Sequence, residues 1–229
     1  MRRQLPRVVV ALLAAAALLF GLLRLGQFTR ARLDAAGHYT LRLHDFRCDA
    51  PPGLARDTFL DEVQYLGGLP DSFDSLDKTI AIRLAAAFAR HPWVERIDAV
   101  TLRPPTARLT FRAPVLAVAD RAVDASGVLL PAGAPLDGLP VLSGVAPPQV
   151  PAGTPWGNAD IEDAARAAAA LKSFADCLRV TAVEATPDGP VFTGSVRIRW
   201  GRGDTTAKVA KLREACAKAG GLGAEIDLR

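Results

Sequence analysis

The 229-residue chain is poor in the side chains that carry most protein chemistry: it has three histidines, three cysteines, one methionine and two tyrosines. His38, His44 and His91 have no metal-ligand spacing, and Cys48, Cys177 and Cys216 form neither a CxxC pair nor a lipobox near the N-terminus. The usual signatures of structural zinc and of a CxxC redox centre are therefore missing. There is no G-x-S-x-G, no Walker loop and no H-E-x-x-H. The glycine cluster at 220–223 follows a helical pattern instead of opening one, so it is not a phosphate loop. No pairing of carboxylates that would make a general acid–base pair can be read from the pattern. His91 stands directly before Pro92 and reads as a turn residue. Arg202-Gly203-Asp204 reads as a turn whose aspartate caps the next helix. Trp93, Trp156 and Trp200 are scattered on a chain without a basic face, so they form no base-stacking platform.

Acidic residues are missing from the first 24 positions, which hold Arg2, Arg3, Arg7 and Arg24. The formal excess of +4 sits entirely there, because the other 205 residues carry 24 basic and 24 acidic side chains. A neutral body lacks the concentrated positive field that phosphate binding needs, which argues against a nucleic-acid binder. The basic balance bears instead on membrane topology. Val8 to Leu23 is a run of 16 apolar or glycine residues, between a signal-peptide core and a spanning helix of about 20. Arg24 can snorkel, extending the span to about Phe28. The best cleavage candidate, Thr29-x-Ala31, has Arg30 inside it, so the pattern favours an uncleaved anchor over a removed signal peptide. The expected order is a cytoplasmic tail (1–7), a transmembrane anchor (8–28) and a basic spacer (29–40), the positive-inside rule favouring a cytoplasmic N-terminus.

Beyond the spacer the periodicity predicts an α+β body. Leu41 to Cys48 alternates, with a slip near Asp45, and reads as a strand. Phe59, Val63 and Leu66 recur at helical spacing up to Gly67-Gly68. A second helix is expected from the cap Ser75, with Leu76, Ile80, Leu84, Ala87 and Phe88 inward, and it ends before Pro92. Val94, Ile97, Val100 and Leu102 change phase, which implies a bulge near Asp98-Ala99. After Pro104-Pro105, Leu109, Phe111 and Ala113 alternate cleanly with Arg108, Thr110 and Arg112. The order β-α-α-β-β makes a small domain over 41–114. Two short strands around Asp124–Gly127 follow, then a proline-rich ordered loop (131–157) with one strand at Val141–Leu142. Next comes a helix capped by Asn158, then the strands "RVTAVEAT" and "VFTGSVRIRW". Asp204 caps a last helix, and "AEIDLR" ends the chain. Cys177 and Cys216 fall on apolar helix faces and read as buried small hydrophobes. One disulfide in an exported domain is the alternative, and the odd count leaves a free thiol.

The landmarks Pro92-Trp93-Val94, Pro105 and Arg112-Ala113-Pro114-Val115, in that order after a strand and two helices, resemble the POTRA-type domain of the FtsQ/DivIB family of cell-division proteins. Asp124-x-x-Gly127-Val128, Leu139-Pro140-x-x-x-Gly144, a helix, a two-stranded return, a helix and Asp227-Leu228-Arg229 resemble the family's β-domain over 115–229. One departure is Phe111, where the family usually has an acidic residue three before the proline. The resemblance implies a non-enzymatic, single-pass scaffold of the septum-forming complex. Its domains would lie outside the inner membrane, with no cofactor, no small-molecule substrate and no nucleic acid. It implies partners similar to FtsB and FtsL, small single-pass division proteins, bound at exposed β-edges. The docking edge would be Val191–Trp200 and Glu225–Arg229, with Val196, Ile198, Trp200, Ile226, Leu228 and Arg229 as partner-binding residues. Rival readings are a POTRA-like or ferredoxin-like scaffold of a secretion or pilus assembly, and an anchored exported enzyme with an unrecognised site.

Overall fold

A computed structural model of the chain describes residues 16–27, 39–217 and 224–229. Residues 16–27 form a helix, α1. The tail 1–7, the rest of the expected anchor and most of the spacer lie outside the described residues. Among those described, no helix is long and apolar enough to cross a membrane.

The first unit contains β1 (Thr40–Leu41), α2 (Arg56–Gly67), β2 (Phe73–Asp74), α3 (Ile80–Ala89), β3 (Val94–Leu102) and β4 (Pro105–Phe111). Helical spacing puts Phe59, Leu60 and Val63 on one face of α2, and Ile80, Leu84 and Phe88 on one face of α3; all are buried in a shared core. Phe111 enters this core too, meeting the Phe59 ring edge-on at 5.4 Å. An apolar residue there packs where an acid could not. β3 and β4 pair antiparallel, with register shifts between Val94 and Arg96 and between Ile97 and Ala99. The bulge implied by the phase change near Asp98 is therefore present.

Two local expectations fail for one physical reason. Leu41–Cys48 is not a single strand. β1 ends at Leu41, Leu43–Asp45 is a 3-10 turn, and Arg47 meets β4 by one parallel bridge to Thr106. The Asp45 carboxylate accepts the Arg42 N–H at 2.8 Å, which takes that backbone out of a ladder. Likewise α3 begins at Ile80 instead of after Ser75. The carboxylates of Asp74 and Asp77 accept the N–H groups of Leu76 and Thr79, both at 2.8 Å. They hold the segment in turns, and Leu76 is left exposed.

The second unit is a seven-stranded sheet built from β5 (Leu116–Val118), β6 (Arg121–Val123), β7 (Val141–Ser143), β8 (Val180–Thr186), β9 (Gly189–Gly194), β10 (Arg197–Arg199) and β11 (Glu225–Asp227). The order is β11-β10-β9-β8-β7-β5-β6. The pairs β5–β7, β7–β8 and β10–β11 are parallel, and the others antiparallel. Helix α4 (Ala159–Lys172) is capped as expected, its Asn158 Oδ1 accepting the Asp160 N–H at 2.9 Å. Its buried Ile161, Ala165 and Leu171 share a core with Leu142, Phe192 and Ile198 of the sheet. Helix α5 (Thr205–Ala217) is capped by Asp204, which accepts the Thr206 N–H at 2.9 Å. The tripeptide at 202–204 is thus a helix-opening turn.

The turn expected at Asp124–Gly127 is present, with the Gly127 N–H donating to the Asp124 carbonyl at 3.0 Å and residues 128–130 returning beside β6, and a further tight turn at Ala119-Asp120 joins β5 to β6. The Asp124 side chain braces this turn. Its Oδ1 accepts the N–H groups of Ser126 and Val128, and its Oδ2 takes the Arg112 guanidinium at 2.6 Å. Arg112 is itself tied back, its N–H donating to the Trp93 carbonyl at 2.9 Å. Trp93 is buried with Ala122, Leu130 and Ala134 of the second unit. Three of the landmarks in the sequence, Trp93, Arg112 and Asp124, therefore join the two units.

Candidate docking edge

Val191–Trp200 is two strands, not the one the sequence suggested. The chain leaves β9 at Gly194-Ser195 and returns as β10, with Ile198 opposite Phe192. A Cβ on Gly194 would lie 1.8 Å from the Arg179 carbonyl oxygen, so only glycine lets the turn approach β8 this closely. Ser195 secures it, its N–H donating to that same carbonyl at 2.8 Å. α5 then carries the chain over to β11, which lies parallel to β10, the geometry a helical crossover allows.

The six expected partner-binding residues divide by burial. Val196, Ile198, Trp200 and Leu228 are buried in the sheet's core. Ile198 lies between two paired neighbours, Phe192 on β9 and Ile226 on β11. Ile226 is partly buried against the core and Arg229 is exposed. The strand that borders the sheet is β11.

Backbone parity decides which groups face outward. The Arg197 N–H donates to the Ala224 carbonyl at 3.1 Å, and the Leu228 N–H donates to the Arg199 carbonyl at 2.9 Å. In a parallel ladder the residues that bond inward alternate, so 224, 226 and 228 serve β10 while the N–H and C=O of Glu225 and Asp227 point away from the sheet. The opposite end of the sheet is occupied: residues 128–130 run beside β6, with Leu130 N–H on the Ala122 carbonyl at 2.9 Å. The charged side chains of β11 are folded down onto the sheet. Glu225 pairs with Arg199, Asp227 with Arg229 at 2.7 Å, and Arg229 reaches Asp188 at 3.4 Å. Hydrogen bonds from the Arg229 side chain hold Asp227 at a pKa of about 2. Gly201 lets Arg229 lie there, since a Cβ on it would come within 2.6 Å of the arginine Cγ. The adjoining depression, lined by Asp188, Arg197, Arg199 and Arg229, encloses only about 200 Å³, smaller than a typical small-molecule site.

Cys177 and Cys216, read from sequence as buried apolar groups, are bonded to each other, and Cys48 is the free cysteine. The disulfide joins the turn after α4 to the last turn of α5. With 39 residues of separation, the chain-entropy estimate for such a crosslink is about 4 kcal/mol. Sequence leaves connectivity open, and Cys177, expected on a helix face, lies in the turn after α4 ends at Lys172.

Of the other chemistry-bearing groups, His91 is fully buried. Its Nδ1 accepts the Trp93 N–H at 3.3 Å, so its Nε2 carries the proton and donates to Glu62 at 2.9 Å. Burial lowers its pKa despite the carboxylate, and the bond ties the turn after α3 to Glu62 of α2. Among the described residues, no three His, Cys, Asp or Glu side chains group as a metal site.

The family model described as "Cell division protein FtsQ/DivIB, C-terminal" matches residues 116–229. That span runs from the first residue of β5 through the edge strand β11 to Arg229. No curated protein matches the chain. By the domain that carries this sheet and its edge, the chain belongs to the FtsQ/DivIB family of cell division proteins.

Proposed function

We propose that this chain is a non-enzymatic, bitopic membrane scaffold of the septum-forming complex. Residues 8–28 anchor it with the N-terminus in the cytoplasm, and both units lie outside the inner membrane. Residues 41–114 act as a POTRA-type domain. Residues 115–229 dock FtsB-like and FtsL-like single-pass proteins, one of which adds an extended segment to β11. The observation that carries this reading is the outward backbone row of Glu225 and Asp227, at the end of the sheet that no other described segment pairs with. An unpaired row of donors and acceptors is a template for another strand. β3 offers a longer edge, but its two register shifts interrupt the even spacing that a partner strand needs.

A fluorescent fusion of the full chain should concentrate at midcell, and the full chain should co-purify with its FtsB-like and FtsL-like partners. Even membrane fluorescence, failed capture and normal septation after depletion would together reject the reading.

A further inference from the structure

The disulfide sits where it can govern that edge. β10, α5 and β11 form one crossover, so the place of β11 depends on where α5 is held. α5 is thinly attached: its buried side chains are Lys208 and Leu212, with Val209 and Cys216 partly buried against the core. Lys208 secures the first half, its Nζ donating to the Arg202 carbonyl at 2.7 Å. The second half rests on Leu212 and on the bond from Cys216 to Cys177. β11, next in the chain, pairs with β10 over three residues. The closed loop contains β8, β9, β10 and most of α5, whereas β11 lies just beyond the crosslink and has no second neighbour among the described strands. Both cysteines are only partly buried, so a reductant can approach the bond.

We propose that the Cys177–Cys216 disulfide sets the position of β11 and makes the docking edge redox-sensitive; this rests on the reading of β11 as the docking edge. In the step, one thiolate of a dithiol reductant attacks a sulfur of the bond, giving a mixed disulfide and one free cysteine thiolate. The second thiolate then displaces the remaining cysteine. The dithiol becomes a disulfide, and Cys177 and Cys216 gain two electrons and two protons as thiols. The C-terminal half of α5 then loosens, and β11 leaves β10. β8 and β9 keep their core against α4 and their mutual ladder.

The test uses the full chain in nanodiscs, treated with dithiothreitol, with thiol alkylation counted by mass spectrometry and amide exchange read by peptide. Alkylation should rise from one thiol, Cys48, to all three cysteines. Exchange in 224–229 should then quicken by about ten-fold or more while 180–194 changes little. A Cys177→Ser/Cys216→Ser variant should match the reduced protein without reductant. The inference is overturned if the bond survives excess dithiothreitol or if 224–229 is unaffected once reduced. It is also overturned if all strands open together or the double variant fails to fold, since the bond then holds the domain and not its edge. Capture of the FtsB-like partner separates the two readings. Capture lost with exchange unchanged removes the redox control; capture kept with β11 released removes β11 as the docking edge.

Discussion

Burial decides the charge of His91. Its ring is enclosed between Phe59, whose centroid lies 4.7 Å away, and the Trp93 N–H. A second proton would have to sit on Nδ1, facing that donor. The depressed pKa means the unfolded chain binds this proton more readily than the folded one. Stability from His91 is therefore intact above the ordinary histidine range and falls as pH drops through it. Thermal melts between about pH 7.5 and about pH 5.5 should show a falling Tm, and His91→Gln should flatten that dependence; an equal pH slope in both proteins would exclude His91 as its source. Arg112 makes the opposite case, a charge kept buried because it is paired. Arg112→Ala would leave the Asp124 carboxylate inside with only its two N–H donors, and should cost about 3 kcal/mol in urea unfolding. A double-mutant cycle with Asp124→Ala should record a coupling energy between the two residues, since each loses a buried partner when the other is removed.

Elements followed their local signals wherever side chains only had to choose a face. α4 and its Asn158 cap, α5 and its Asp204 cap, the buried stripe of α3 and the bulge in β3 were all legible, because helical period, capping and strand parity are properties of a few neighbouring residues. Asn158→Ala should lower stability by about 1 kcal/mol. Elements were misread where an aspartate claimed backbone N–H groups, at Asp45 and at Asp74 and Asp77, because a carboxylate can serve either as a cap or as a turn. Gly194 misled differently. A glycine inside the alternating run 191–200 signals either a bulge or a close approach, and the carbonyl it faces, on Arg179, is remote in sequence. Gly194→Ala should destabilise the β-domain by several kcal/mol, since backbone must move to admit the methyl. Circular-dichroism melts would check both variants. The candidate edge was legible in part for the same reason: the alternation of Glu225 to Asp227 marked a terminal strand, but Ile198 and Trp200 alternate as edge residues would while lying inside the sheet.

Across the whole molecule, the landmarks of the first unit lie apart from the proposed docking edge, whereas Asp227-Leu228-Arg229 belongs both to the family resemblance and to that edge. Trp93, Arg112 and Asp124 join the two units. β11 lies at the far border of that sheet. Parity supplies a substitution that separates docking from folding: the Asp227 N–H points outward, so proline there removes one edge donor without removing a bond to β10. Asp227→Ala loses the same carboxylate but keeps the N–H. Binding of the FtsB-like partner to the full-length chain, wild type, Asp227→Ala and Asp227→Pro, with folding of each confirmed by its melt, is the direct measurement. Strand addition at β11 predicts that the alanine variant binds within a few-fold of wild type and that the proline variant loses about ten-fold or more. Equal binding by the folded proline variant would contradict it.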